Sequence, residues 1–510
     1  MNWKHGYFAD AGYTHGYYAE TMPLRLRWAA LLQGHAVPEK GFRYLDAGCG
    51  QGLNLVLAAA AHPESEFVGI DFMPEHIAHA TALAARCGLK NVRFIEGDFV
   101  ALAADPSSLG TFDYAVCHGI TTWIAPVVRT ALLRMVGQCL KPGGLLYNSY
   151  NTQPGWLSAL PFQHLVLLEQ RHNAGAQALA AAQASMAQLQ QLNAGLFVSQ
   201  PSLAGRLEGM KPRDPAYLVQ EYNNQSWQPL FVSQMMDEMA AVKLGYLGTA
   251  TLLEAFDSLL PDPVREWLAQ QPNALMKEQL RDYVLNQSFR RDLYVKGQNK
   301  PWPKAYEQQL RAVRFVANPA QPRPEAGQPW SIMGGSVEIS GEAPFYTALI
   351  NLLDAAGDNG TTVGALIDAV PSAAYKSSVV QSLAMLTHAN WVMPVHTDLP
   401  SHRPKARAVN TALLQDALNG APYRFVALPG AGCAINMTDT DWLLLALDLA
   451  NKPATALAPE LSALLAQLGR GLFKEGQPIT DEAQRQEILA SMVQSHVVGK
   501  RVLFKRLGAL

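Results

Sequence analysis

The feature that most constrains this chain is Asp46-Ala47-Gly48-Cys49-Gly50-Gln51-Gly52, which closes a strand-like run, Phe42–Asp46, and opens a helical one. Glycines there let the backbone turn sharply and approach a ligand with no Cβ in the way. The same alternation continues through the strand-like runs Phe67–Asp71, Val92–Glu96, Phe112–Cys117 and Leu145–Tyr150. Helical patterns separate them: after Pro126, Val127, Val128, Ala131, Leu132, Met135, Val136 and Cys139 share one face. Strands spaced by helices of this length predict right-handed βαβ units in a parallel, doubly wound sheet, an α/β fold.

A glycine-rich strand-to-helix turn by itself also suits dinucleotides. Three acids narrow the choice. Asp46 stands two residues before Gly48, where it can take an ammonium group. Asp71 ends the second strand, 25 residues after Asp46, placed for both ribose hydroxyls. Asp98 ends the third strand, where it can accept an adenine amino group, with Phe72 or Phe99 against the ring. Each is also an ordinary helix cap when taken singly. Together, with no pyrophosphate partner, they point to S-adenosylmethionine, held by Asp46, Gly48, Gly50, Asn54, Asp71, Phe72, Asp98, Phe99 and His118.

The rest of the 510 residues carries further units. Residues 156–228 read as a helical insertion, in which Leu179, Met186, Leu189 and Leu192 make an apolar side. Across 229–297 the α/β texture returns, with helices Val232–Lys243 and Ala274–Gln287 and strands Tyr246–Ala250 and Arg291–Val295, taken as strands six and seven. The proline-dense stretch 298–341 reads as a linker. Over 342–400, helices Phe345–Ala355, Val363–Val370 and Ala373–His388 followed by strand Asn390–Val395 suggest a winged-helix-like unit. Its charges, Asp354, Asp358 and Asp368 against Lys376, do not suit DNA. Residues 401–510 form a C-terminal region with a basic end at Lys500–Arg506, a solvated edge or a contact for an acidic partner.

Composition closes off other classes. A net charge of −2 gives no bulk field for nucleic acid or anionic membrane. The longest apolar run, Leu53–Ala61, is far short of a bilayer span. Five cysteines without a Cys-x-x-Cys pair, and no apolar segment within Met1–Glu20, predict a cytoplasmic protein with neither disulfide scaffold nor metal site.

Longer stretches carry a resemblance. Phe112-Asp113-Tyr114-Ala115-Val116-Cys117-His118-Gly119 with Trp123, Ser149-Tyr150-Asn151-Thr152-Gln153-Pro154-Gly155-Trp156, Gln220-Glu221-Tyr222 with Trp227-Gln228-Pro229, and Asn286-Gln287-Ser288-Phe289-Arg290 are similar, over residues 1–300, to class I methyltransferases with a methyltransferase regulatory domain. Best known among these are bacterial protein-lysine methyltransferases acting on an outer-membrane protein. The resemblance implies a Rossmann-like cofactor domain (1–155), S-adenosylmethionine and a protein acceptor, with a homodimer possible. The chain departs from it at Thr121, where that family has tyrosine, and at Gln220 and Asn223, on segments expected to face the substrate.

Methyl transfer to an amine is an in-line displacement, so alignment and loss of the amine proton are what the protein must provide. His118, Tyr150 and Asn151, at the ends of strands four and five, flank the expected methyl position. His118 either positions the acceptor or bonds the cofactor or backbone, and Tyr150 and Asn151 serve either the acceptor or a turn. The aromatic N-terminus (Trp3, Tyr7, Phe8, Tyr13, Tyr17, Tyr18) is a lid or packs on the sheet edge. A glycan or small-molecule acceptor, or a non-catalytic scaffold, are the rival readings. Because the cofactor residues all lie in the first five strands, a chain ending near Lys296 is expected to keep cofactor binding.

Overall fold

Five parallel strands form where the alternation puts them: β1 Arg43–Ala47, β2 Glu66–Asp71, β3 Val92–Glu96, β4 Phe112–His118 and β5 Leu140–Asn151. β6 (Gly245–Thr249) and β7 (Phe289–Val295) complete a seven-stranded sheet of order β3-β2-β1-β4-β5-β7-β6. β7 is antiparallel to both its neighbours. The order reverses between β1 and β4, so the crevice beyond their carboxyl ends is where an open α/β sheet binds a ligand. This computed structural model describes residues 15–510 apart from 214, 299, 326–327, 335–336, 342, 371–377 and 475–476.

Side-chain alternation sorts the core. In β5, Leu145 and Tyr147 join one apolar cluster while Leu146 and Tyr150 join another on the opposite sheet face. The insertion packs helices Leu160–Glu169, Gly175–Gln191, Ser202–Met210 and Pro215–Tyr222 around Phe162, Leu179, Met186 and Leu203. Burial within the chain thus accounts for Leu179 and Met186, whereas Leu189 and Leu192 are exposed.

The stretch expected as linker is built. Pro303 opens helix Pro303–Ala312, where its missing N–H has no partner to lose, and strand Arg314–Ala317 follows. That strand is the centre of a three-stranded sheet between Thr361–Thr362 and Val392–Val395. Helices Ala343–Ala355, Val363–Ala369 and Val379–His388 pack beside it. The first residues of the predicted third helix, and Lys376, lie outside the described residues. The basic end is paired internally: Lys500 with Asp441, Arg501 with Asp448 and Arg506 with Asp358.

Helix Leu53–Ala61, which follows the glycine-rich turn, is buried at every residue. Leu55, Ala58 and Ala59 meet the sheet. Leu53, Val56, Leu57 and Ala60 meet Leu428, Ala431, Leu503, Phe504 and Leu507 of the C-terminal region. Polar contacts reinforce the joint: Glu39 accepts from the Thr397 N–H (2.8 Å) and hydroxyl (3.0 Å), and Lys40 pairs with Asp398. Among the described residues no helix is long and apolar enough to cross a membrane.

Candidate functional site

Gly48, Gly50 and Gly52 all have positive φ (90°, 51° and 79°). A Cβ on Gly48 would stand 2.4 Å from the Ile120 side chain, and one on Gly52 2.4 Å from the Ala80 methyl. The turn is tied down by its own hydrogen bonds. The Gly48 and Cys49 N–H groups donate to Ile70 O (2.7 and 3.0 Å), and the Gly50 N–H donates to Asp71 Oδ2 (2.9 Å). Asp71 Oδ1 accepts from the Met73 N–H (3.0 Å) and lies 3.1 Å from His76 Nδ1.

Asp46, Gly48, Gly50, Asn54, Asp71, Phe72, Phe99 and His118 line one cavity at these strand ends. Asp98 does not line it. Its Oδ1 caps the turn Phe99–Leu102 through the Val100 and Ala101 N–H groups (2.6 and 3.2 Å). Asn54 lines the cavity, yet its amide serves the N-terminal strap: Oδ1 accepts from the Tyr18 N–H (3.0 Å) and Nδ2 donates to Thr21 Oγ1 (3.0 Å). Asp46 is buried. That burial, together with the nearby Asp71 charge, pushes its carboxyl up to about 7.

A second cavity adjoins the first and is lined by Asn151, Trp156, Arg206, Arg213, Tyr222 and Phe289 among others. Tyr18, His118, Gly119, Trp123 and Glu221 line both. The insertion is therefore one wall of the outer cavity. His118 Nδ1 lies 3.1 Å from the Tyr147 hydroxyl and 3.0 Å from Ser149 Oγ, which also accepts from the Gly119 N–H. The Tyr18 ring covers the imidazole at 3.8 Å between centroids. Burial pushes His118 down to about 4, so the ring is neutral at physiological pH.

One expectation is corrected here. Tyr150 is not beside His118: strand alternation turns it to the other sheet face, where its hydroxyl donates to Asp292 Oδ2 (2.7 Å). It belongs to a buried ionic cluster in which Arg290 holds Asp292, Asp282 and Glu278. The segments that carry the departures do line the cavities, through His118, Gly119, Trp123 and Glu221, although the Thr121 and Asn223 side chains do not reach them. Both side chains are buried and line neither cavity, whereas Gln220 lines the inner one. Trp3, Tyr7, Phe8 and Tyr13 lie outside the described residues. Of the remaining N-terminal aromatics, Tyr18 covers the site and Tyr17 packs on Phe425.

Glu221 is the residue whose place residue-by-residue reading misses. Glu221 stands in a stretch already noted for resemblance, on helix Pro215–Tyr222, but only the fold carries that helix back to the strand ends.

Comparison with known proteins identifies the domains. A methyltransferase domain matches residues 38–207, and a predicted methyltransferase regulatory domain matches residues 214–296. The uncharacterized protein sll1526 of Synechocystis sp. is 31% identical over 518 residues, covering all of both chains. The structure of PKMT2 from Rickettsia typhi in complex with AdoHcy superposes at a TM-score of 0.74 with 19% identity, over 98% of this chain and 100% of that one.

Proposed function

The chain belongs to the S-adenosylmethionine-dependent methyltransferases that carry a methyltransferase regulatory domain, and from that premise we propose that it methylates a lysine side chain of a protein acceptor. We assign the inner cavity to the cofactor and the outer one to the acceptor. The inner site fits the group: the bare backbone of Gly48, Gly50 and Gly52 lines it, and it holds a buried carboxylate, Asp46, suited to an ammonium. Asp71 then faces the ribose. When bound, the cofactor supplies an electrophilic methyl carbon on a sulfonium.

The observation that carries the acceptor reading is the junction of the cavities. There a carboxylate (Glu221), two aromatic rings (Tyr18, Trp123) and a neutral imidazole (His118) converge. An ammonium arriving from the outer cavity gains charge-assisted bonding and cation–π attraction from that set. A glycan hydroxyl can also bond the carboxylate, but as a neutral group it gains neither an ion pair nor cation–π attraction. Lysine, with an ordinary pKa of about 10.4, must then lose its proton, which desolvation between these rings promotes. A neutral His118 can take a hydrogen bond from the amine without repelling it.

The insertion and the C-terminal winged-helix-like unit are read as protein-contact elements. Support comes from the outer cavity's wall, built by the insertion, and from the acidic balance of the 342–400 unit. The test is transfer of labelled methyl into fractionated cell protein, followed by acid hydrolysis. Label in methyl-lysine is the expected result, and label confined to glycan or small molecules rejects the reading.

A pH dependence follows from Asp46. The cofactor's α-amino group, with a pKa of about 8, stays charged as pH falls. Asp46, raised to about 7, does not. Affinity for AdoHcy is therefore expected to drop with pH below about 7, approaching tenfold per unit. Calorimetry at about pH 6 in buffers of different ionisation heat is expected to show proton release on binding. Affinity that stays constant down to about pH 5 contradicts the placement of Asp46.

A further inference from the structure

We propose that Tyr423, in the C-terminal region, is a positioning residue for cofactor binding that acts through His79 on the glycine-rich turn. The proposal rests on the assignment of the inner cavity to the cofactor. His79 sits on helix Pro74–Arg86 and joins the two parts: Nδ1 lies 2.7 Å from Gln51 O, and Nε2 lies 2.8 Å from the Tyr423 hydroxyl. Chemistry fixes the direction of the first bond, and the neutral ring that of the second. A carbonyl oxygen only accepts, so Nδ1 carries the proton and donates to Gln51 O. In the neutral imidazole Nε2 is then the acceptor, and the Tyr423 hydroxyl donates to it.

The bonded carbonyl is critically placed. The Gln51–Gly52 peptide lies between two glycines at positive φ, the most pliable part of the turn. Its N–H donates to Cys49 O (3.1 Å) and its C=O accepts from His79, so the peptide is held at both ends. Tyr423 holds the imidazole in the tautomer that makes the second bond possible. The hydroxyl is itself fixed, because Tyr423 is buried in the C-terminal core and its carbonyl accepts from Trp442 Nε1 (3.1 Å). The His15 ring of the strap packs against both relay rings, at 4.8 Å from His79 and 5.6 Å from Tyr423. The Arg86–Asp416 ion pair lies close enough to Tyr423 to act on its charge.

A turn pre-set in its bound shape avoids an ordering cost on binding. Loss of the relay therefore weakens cofactor binding and leaves the chemical step alone. In the full-length protein, Tyr423→Phe, which removes only the hydroxyl, is expected to raise the Kd for AdoHcy and the KM for S-adenosylmethionine about five- to tenfold. At saturating cofactor, kcat and the acceptor KM are expected within about twofold of the parent. His79→Ala is expected to lose affinity at least as much, and adding Tyr423→Phe to it should change nothing further. His79→Gln, whose amide can still donate to Gln51 O, is expected to recover most of that loss. Unchanged affinity in Tyr423→Phe overturns the proposal, as does a further loss when it is added to His79→Ala. If Tyr423→Phe does not fold, the pair His79→Gln and His79→Ala decides: equal affinities overturn it. Cofactor binding is read without an acceptor, so a failed lysine assignment leaves this result interpretable.

Discussion

A chain ending at Lys296 is expected to bind no cofactor and to lack a cooperative unfolding transition. Sequence position alone suggests the opposite, since every cofactor-side residue precedes Lys296. Packing reverses the expectation. Helix Leu53–Ala61 leaves the glycine-rich turn with no solvent face, and its outer side is covered by Leu83, Ala84 and Cys87 together with C-terminal residues from Met393 to Leu507. Burying a Leu or Val side chain contributes about 1.5–3 kcal/mol. Uncovering Leu53, Val56 and Leu57 therefore removes several kcal/mol, a large part of the roughly 5–15 kcal/mol that holds a domain folded. Trp28 loses Phe315 and Tyr17 loses Phe425 in the same cut. The strap that places Tyr18 over His118 goes with them. Near-ultraviolet circular dichroism and AdoHcy calorimetry on the shortened chain check this. A cooperatively folded product with a Kd within about threefold of the parent refutes it.

The strands were legible because each pairs a short apolar run with a turn that has a chemical reason to be there. Boundaries at β2, β3 and β4 fall within a residue of expectation for that reason. The antiparallel β7 and its neighbour β6 could be placed in the sheet but not ordered, because β7 pairs with β5 across 138 to 150 residues of chain. Tyr150 illustrates a different loss. Its position at a strand end is visible in sequence, yet its side depends on parity counted from His118's partners, Tyr147 and Ser149 on the neighbouring strand. Asp98 shows how one residue type serves two ends: the same carboxylate that suits adenine also caps the next turn. The role of the C-terminal region did leave a trace. A helix as apolar as Leu53–Ala61, polar only at Asn54, requires cover on nearly every side, and a single sheet supplies only one. Proline density over 298–341 obscured the partner, because Pro303 starts a helix there rather than breaking one.

Glu221→Gln is expected to lower kcat/KM for the protein acceptor about 10²–10³-fold while leaving AdoHcy affinity within about twofold. The substitution keeps size and hydrogen-bonding capacity and removes one charge from a side chain that is 8% exposed. If Glu221 receives the incoming ammonium, the loss is that of one partner in a buried charge pair, about 2–5 kcal/mol. Its form is as diagnostic as its size. A carboxylate beside an amine favours the charged amine, so it assists capture and opposes deprotonation. Removing it should therefore raise the acceptor KM strongly and move the rising limb of kcat toward lower pH, since the bound lysine sheds its proton more readily. Were Glu221 instead the base that takes that proton, kcat would fall at every pH with KM little changed. The two patterns separate in one pH series with the parent and the Glu221→Gln protein. A parent-like kcat/KM in the variant removes Glu221 from the acceptor site altogether. It would also withdraw the charge on which the choice of an amine over a hydroxyl acceptor depends.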